Sequence, residues 1–406
     1  MLKRICFLNF ILCLLAIFVF SNPLEVQYHE YTDLATHIAS GKGYVSSGFF
    51  YLKDAPSAFL QPVYSYLLAF FIRLFKLPFA YLFVRILQAC VCVSMAGMIY
   101  LIGGEVFNER SALSASFIYS IYLPFAYYST VIWDTMIFAL TISLIVWLAL
   151  KFAGQNIFRA VLLGFLLGIS VLINSVILAF VPFLFIYWLV RFKRNFANLL
   201  VIFSLMVLVI LPWSVRNSMV FRAFVPIRTG FWFNLYLGNN KDATGTVFLK
   251  QGGQIPLDYN KGITYHFRPM IKALKDLNEF EQDAYFKQRF LDQVISNPGS
   301  FVSLLFKKAY YFLWFNPYEA NNLFWAFEYA FILIFAVFGF YEAYREKKRV
   351  GLFLLLFIPF TLVYSLTGPF FNWKYRLPVE PYLIVLAGYG IFKLSELLPP
   401  RWRRSL

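Results

Sequence analysis

Charge is scarce in this chain. The 406 residues include 36 basic and 20 acidic side chains, 14% in all, where an ordinary globular domain carries about a quarter. With 61% apolar residues, that scarcity argues against a water-soluble fold. Histidine is limited to three residues and cysteine to four. Cys6, Cys13, Cys90 and Cys92 all lie inside apolar runs, so no loop offers an extracellular disulfide. The metal signatures HExxH, paired CxxC and EF-hand are missing. Low-complexity tracts and short-period repeats are missing too.

What is abundant is apolar sequence in runs of about 20 residues, long enough to cross a hydrocarbon core as helices. The net charge of +16 is not a nucleic-acid footprint. The basic residues fall mostly in short clusters between apolar runs, where the positive-inside rule accounts for them. Candidate spans are 5–21, 79–103, 111–128, 134–152, 157–173, 175–190, 196–212, 323–343, 350–366 and 379–396. The segment 60–77 is apolar enough to span, but Pro62 opens it and Arg73 and Lys76 close it, as in an interfacial helix.

Charge parity decides its placement. With Lys3 and Arg4 inside and 60–77 on the outer surface, the clusters Arg191/Lys193/Arg194, Arg345/Lys347/Lys348/Arg349 and Arg401/Arg403/Arg404 are all cytoplasmic. Counting 60–77 as a span reverses all three. The expectation is an all-α polytopic membrane protein with about ten transmembrane helices and both termini cytoplasmic. A transmembrane module at 1–213 includes a first outer loop at 22–78, whose segment 60–77 reads as an interfacial helix; a large outer loop at 214–322 and C-terminal helices at 323–406 follow. Reading the first run as a cleaved leader leaves the rest unchanged, and an A-x-A-like site is missing there.

This topology puts Glu30, Asp33, Asp134, Arg216, Arg228 and Arg376 on one side of the bilayer, although none of them was used to set it. Glu30 and Asp33 share a helical face if that stretch is helical, and they read either as solvated loop charges or as a general base. Asp134 stands in an apolar run at the outer end of a span, which suits a helix N-cap or a functional acid. Asn174, between two spans, reads as a turn residue, and Gly41-Lys42-Gly43 as a flexible turn. Arg216, Arg222 and Arg228 emerge among aromatic rings. They read as an aromatic belt with snorkelling arginines or as forks for phosphate oxygens, and Arg228 lies furthest from the membrane. Lys374, Tyr375 and Arg376, just before the last span, suit an anionic headgroup. His29 beside Glu30 is the one place where a divalent metal is conceivable.

The segments Glu30-Tyr31, Gly41-Lys42-Gly43-Tyr44, AFLQPVYSYLLAFFIRLFK, WDTMIF, PWSVRN, VPIRTGFWFNLYLGNN and WKYRLPVEPYL occur in an order that resembles the membrane-embedded C-type-fold (GT-C) glycosyltransferases. Within them the chain is similar to bacterial relatives of the dolichyl-phosphate-mannose protein mannosyltransferases and of the lipid A aminoarabinose transferase. The resemblance implies a polyprenyl-phosphate-linked sugar as donor, an acceptor glycan, lipid or protein, and a site on the periplasmic face of the inner membrane. It implies Glu30 or Asp33 as the first acid and Asp134 as the second, with Arg216, Arg228, Lys374 and Arg376 on the donor phosphate or closing the site. The chain departs from many relatives at Gln27, where an Asp is usual, and at Leu60-Gln61, where some carry a charge. The rival readings are a polysaccharide polymerase or ligase that uses a diphosphate-linked oligosaccharide, and a lipid or sugar transporter.

Overall fold

The described residues are mostly helical, as suits a backbone whose polar groups have no water to turn to in hydrocarbon. Its structure, a computed structural model, describes residues 1–25, 29–46, 54–151, 156–191, 196–246, 270, 273–314, 322–368 and 373–397. Gln27, Lys193, Arg194 and the Arg401/Arg403/Arg404 cluster lie outside the described residues.

The helices are α1 (Leu2–Val19), α2 (Glu30–Ala39), α3 (Pro62–Phe75), α4 (Phe79–Val106), α5 (Glu109–Ile121), α6 (Leu123–Tyr128), α7 (Thr135–Lys151), α8 (Ile157–Ile173), α9 (Val181–Arg191), α10 (Phe196–Phe221), α11 (Phe231–Asn239), α12 (Glu279–Ser296), α13 (Pro298–Leu313), α14 (Asn322–Arg345), α15 (Gly351–Thr367) and α16 (Glu380–Leu397). Short 3-10 turns occupy Ser175–Ala179 and Trp373–Tyr375, and two-residue strands, β1 (Val45–Ser46) and β2 (Ala55–Pro56), pair antiparallel in the first loop. Leu2–Val19, Phe79–Val106, Phe196–Phe221 and Leu323–Arg345 are long and apolar enough to cross a membrane. Shorter apolar helices occupy Pro62–Phe75, Thr135–Lys151, Ile157–Ile173, Ser175–Val190 and Gly351–Thr367.

Two apolar runs break where proline forbids a continuous helix. The run 111–128 divides at Tyr122, ahead of Pro124, into α5 and α6. The run 175–190 opens as a 3-10 turn ahead of Pro182. Pro212 does not stop α10, which continues to Phe221, so the boundary expected at 213 falls inside a helix.

Small residues let the helices cross closely. Gly164 and Gly168, one turn apart on α8, face α10; a Cβ on Gly164 would lie 2.7 Å from the Ile202 carbonyl, and one on Gly168 2.6 Å from Val209 Cβ. Gly339 of α14 lies against α16, where an added Cβ would collide with the Leu386 carbonyl. Gly339→Val should therefore separate α14 from α16 and cost about 1–3 kcal/mol through overpacking. Thermal unfolding in detergent should show a lower midpoint than wild type, and an unchanged midpoint would refute the close crossing.

Candidate active site

Three distant segments converge at one end of the helices. The first is α2. Its N-terminus is fixed by Thr32, whose hydroxyl accepts from the His29 N–H at 2.8 Å and donates to the His29 carbonyl at 2.8 Å. Glu30 and Asp33 both fall in its first turn, where the helix dipole favours acids. The second is the turn before α7. Buried Arg85 and Gln88, both on α4, hold it: Arg85 Nε donates to the Thr130 carbonyl at 3.0 Å, and Gln88 Nε2 to those of Ser129 and Val131 at 2.9 and 2.8 Å. Arg85 also donates to the Asn22 and Pro23 carbonyls, tying the start of the first loop to the same point. Trp133 and Asp134 are presented from this turn. The third is the 3-10 turn that carries Lys374 and Tyr375.

Where these segments meet, Lys374 Nζ lies 3.6 Å from the centre of the Trp133 ring, and its charge is supported by Glu30 and Asp134. His29 and Tyr31 pack on the same Trp133 ring, with centroids 5.2 and 5.1 Å away. Asp134 is 2% exposed. Its Oδ2 accepts from Asn174 Nδ2 at 2.9 Å, and it also accepts from the Tyr31 hydroxyl. Burial lowers Lys374 to about 8, against the pull of Glu30 and Asp134. Burial, with the Lys374 charge beside it, lowers His29 to about 3, so its imidazole is neutral.

A cavity of about 440 Å³ adjoins this cluster. Val176, Leu178, Ile227, Phe231, Val363 and Tyr364 give it apolar walls, and Asn174, Arg228, Asn234 and Tyr375 also line it. Arg228 lies between α10 and α11, and its guanidinium is 5.1 Å from the centre of the Phe59 ring. Burial lowers its pKa, while Tyr31, Asp283 and Glu279 support its charge. The two acids sit one turn apart on α12, which starts with a capping box between Asn278 and Glu281. Glu279 Oε2 accepts from the Ala58 N–H at 2.8 Å and from Thr229 Oγ1 at 2.9 Å; Asp283 Oδ1 accepts from the Phe233 N–H at 2.8 Å. Burial raises both carboxyls, and these hydrogen bonds oppose the rise.

The structure thus gathers Glu30, Asp134, Arg228 and Lys374, and leaves three expected residues elsewhere. Asp33 Oδ1 lies 3.6 Å from His37, which bridges to Asp54 at 3.1 Å beside Lys42. Arg216 braces the first loop against α10, donating to the Ser57 and Tyr44 carbonyls and stacking on Tyr44 and Trp213. Arg376 is buried in an ion pair with Glu380, over the Tyr329 ring, and donates to the Phe312 and Trp314 carbonyls. Asn174 is more than a turn residue, since it touches both Asp134 and the cavity. Glu279 and Asp283 went unnoticed in the sequence because their partners lie 50 or more residues away.

His29 and Glu30 are the residues where the sequence makes a divalent ion conceivable. Among the described residues no three His, Cys, Asp or Glu side chains cluster for one, and the Lys374 ammonium already draws on the carboxylates a cation would use.

Residues 54–215 match the family model described as dolichyl-phosphate-mannose-protein mannosyltransferase. A search of curated proteins by sequence gave no match. Among solved structures, the chain is similar to ArnT from Cupriavidus metallidurans bound to undecaprenyl phosphate, at 14% identity and TM-score 0.53 over 98% of this chain and 61% of that one. It is also similar to the Archaeoglobus fulgidus oligosaccharyltransferase tethered to an acceptor peptide, at 15% identity and TM-score 0.58 over 98% of this chain and 50% of that one. A complex of the latter enzyme with an inhibitory peptide and a dolichol-phosphate gives 16% identity and TM-score 0.54, over 98% and 51%. The chain thus spans 61% of the length of ArnT and about half that of the oligosaccharyltransferase.

Removing the Glu279 carboxylate should leave the Ala58 N–H and the Thr229 hydroxyl buried without an acceptor, at about 1–3 kcal/mol. Glu279→Ala should then expose the junction of α12 with the stretches around Ala58 and Thr229 to limited proteolysis well before the long apolar helices unfold. Cleavage no faster than in wild type would remove Glu279 from that role. The helical architecture, the match over 54–215 and the solved structures agree that this is a membrane protein with the fold of the C-type glycosyltransferases.

Proposed function

We propose that the chain is a glycosyltransferase that moves a sugar from a polyprenyl-phosphate donor to an acceptor hydroxyl on the periplasmic face of the inner membrane. The observation that carries this reading is the meeting of Glu30, Asp134 and Lys374 beside an apolar cavity that Arg228 lines. In the proposed topology α1, α4, α5, α7, α8, α9 with its leading 3-10 turn, α10, α14, α15 and α16 are ten spans with both termini cytoplasmic, and α3 lies at the outer surface.

The first isoprene units of the donor occupy the cavity, and the phosphate meets Arg228 and Lys374. The acceptor oxygen attacks the anomeric carbon. Its proton passes to Glu30, the bond from that carbon to the phosphate oxygen breaks, and polyprenyl phosphate leaves. A single displacement inverts the anomeric centre. A positioned base contributes about 10²- to 10⁴-fold, and cations on the departing phosphate act where charge develops. Asp134 shares Lys374 with Glu30 and holds the ammonium at the phosphate. Asp33, Arg216 and Arg376 serve as struts in this scheme.

Two outcomes follow for purified protein in liposomes, supplied with a panel of radiolabelled polyprenyl-phosphate sugars and cell-envelope acceptors. Wild type should release polyprenyl phosphate only when donor and acceptor are both present, and Glu30→Gln and Asp134→Asn should each lower release about 100-fold or more with expression unchanged. Normal release in both variants would refute the assignment. The second outcome concerns pH. Because burial lowers Lys374 to about 8, its charge is present below that pH and lost above it. Affinity for undecaprenyl phosphate should fall as pH rises through about 8. Lys374→Arg should remove the fall, since a guanidinium stays charged; a wild-type affinity constant up to pH ~10, near where an ordinary lysine titrates, would take Lys374 off the phosphate.

A further inference from the structure

Asn174 occupies a junction that the scheme above leaves unused. It ends α8, where its N–H donates to the Ser170 carbonyl at 2.8 Å, and it caps the following 3-10 turn, where its Oδ1 accepts from the Val176 N–H at 3.2 Å. With Oδ1 committed to a backbone donor, Nδ2 is the end left for Asp134 Oδ2, 2.9 Å away. The next residue is fixed as well, since Gln61 Nε2 at the start of α3 donates to Ser175 Oγ at 2.8 Å. The amide is therefore held at both ends, and Asn174 is also part of the cavity wall.

We infer that Asn174 is a positioning residue that acts through Asp134, its amide N–H fixing the carboxylate that in turn holds the Lys374 ammonium at the donor phosphate. The inference rests on the glycosyltransferase reading. An ionised carboxylate only accepts hydrogen bonds and has about four lone-pair sites. Asn174 and Tyr31 use two, from opposite sides of the chain, and the carboxylate keeps capacity for the ammonium. The titratable groups that feel the charge of Asp134 are Tyr31 of α2, Tyr64 of α3, Tyr364 of α15, and Lys374 and Tyr375 of the 3-10 turn, and the charge that acts on Asp134 in return is that of Lys374. A lipid in the cavity lies against the residue that orients this acid, so donor binding and acid geometry share one side chain.

Serine and aspartate cap helices about as well as asparagine, so two substitutions separate capping from positioning. Asn174→Ser keeps a cap and loses the donor to Asp134. Asn174→Asp keeps a donor only while the new acid is protonated, because two carboxylates this close cannot both ionise without repulsion. The test measures release of polyprenyl phosphate from the donor that wild type turns over, across pH. Asn174→Ser should lower kcat about 10- to 100-fold at every pH, with KM for the donor within about threefold. Asn174→Asp should approach wild-type kcat in acid and lose it as pH rises, with the loss beginning below the wild-type alkaline limb. Wild-type kcat and pH profile in both variants, with wild type active, would overturn the inference and reduce Asn174 to a cap. A wild type inert with every donor would overturn the glycosyltransferase reading, and this inference with it.

Discussion

An ammonium half-buried beside two carboxylates is the arrangement on which the end of this molecule that carries the site depends. Withdrawing Lys374 from water costs several kcal/mol unless opposite charge and hydrogen bonds replace the solvent. Glu30 and Asp134 supply the charge. They come from segments about 100 residues apart, and Lys374 from a third segment more than 200 residues further on. Each therefore has to be delivered by its own support. Thr32 sets the start of α2, Arg85 and Gln88 hold the turn before α7, and Asn174 orients the acid. Most of these supports are polar groups bound to backbone carbonyls, which suits an edge where the backbone leaves the helices and needs partners.

The same need for partners explains how the segment after α10 is held. Its stretches α11 and α12 enclose a small core of Phe233, Leu237, Leu274 and Phe286, too little apolar area to hold a position unaided. Glu279 and Asp283 tie α12 to Ala58, Thr229 and Phe233, and the same two acids support Arg228 at the cavity. One helix face thus anchors the loop and sets the charge that the cavity presents. Lys308 does comparable work at the other end, donating to Asn239 Oδ1 at 2.9 Å and to the last-turn carbonyls of α11 and α15, where helix dipoles favour a cation.

Helices were legible in the sequence because apolar length is a local property. Each candidate span coincides with one helix or with a pair broken at proline. Members of the cluster stood out most where charge conflicted with its surroundings. Asp134 in an apolar run and Lys374 on the wrong side for a basic residue both stood out, and both reach the cluster. Arg216 and Arg376 stood out on the same grounds but satisfy backbone carbonyls instead, and local sequence does not separate an arginine that binds a ligand from one that braces a fold. Asn174 gave the opposite difficulty. A polar residue at a helix boundary is ordinary, and its second partner, 40 residues earlier, is visible only in three dimensions.

The rival readings differ from the proposed one in how much charge they place and where. A transporter needs polar groups near mid-bilayer, usually in related halves with broken helices; here the gathered ions lie at one end, against the loops. A diphosphate-linked donor brings more negative charge to the site than a monophosphate. Among the described residues two cations face the cavity and its neighbouring cluster, Arg228 and Lys374, and each has acids beside it, Arg228 Glu279 and Asp283 and Lys374 Glu30 and Asp134. Among the described residues the four carboxylates outnumber the two cations, so a phosphate is drawn in only by close approach to Arg228 and Lys374 and is repelled by the acids around them. A second phosphate would add to that repulsion without a further cation among the described residues, and for this reason a monophosphate suits the proposed donor site better than the diphosphate of the polymerase or ligase alternative.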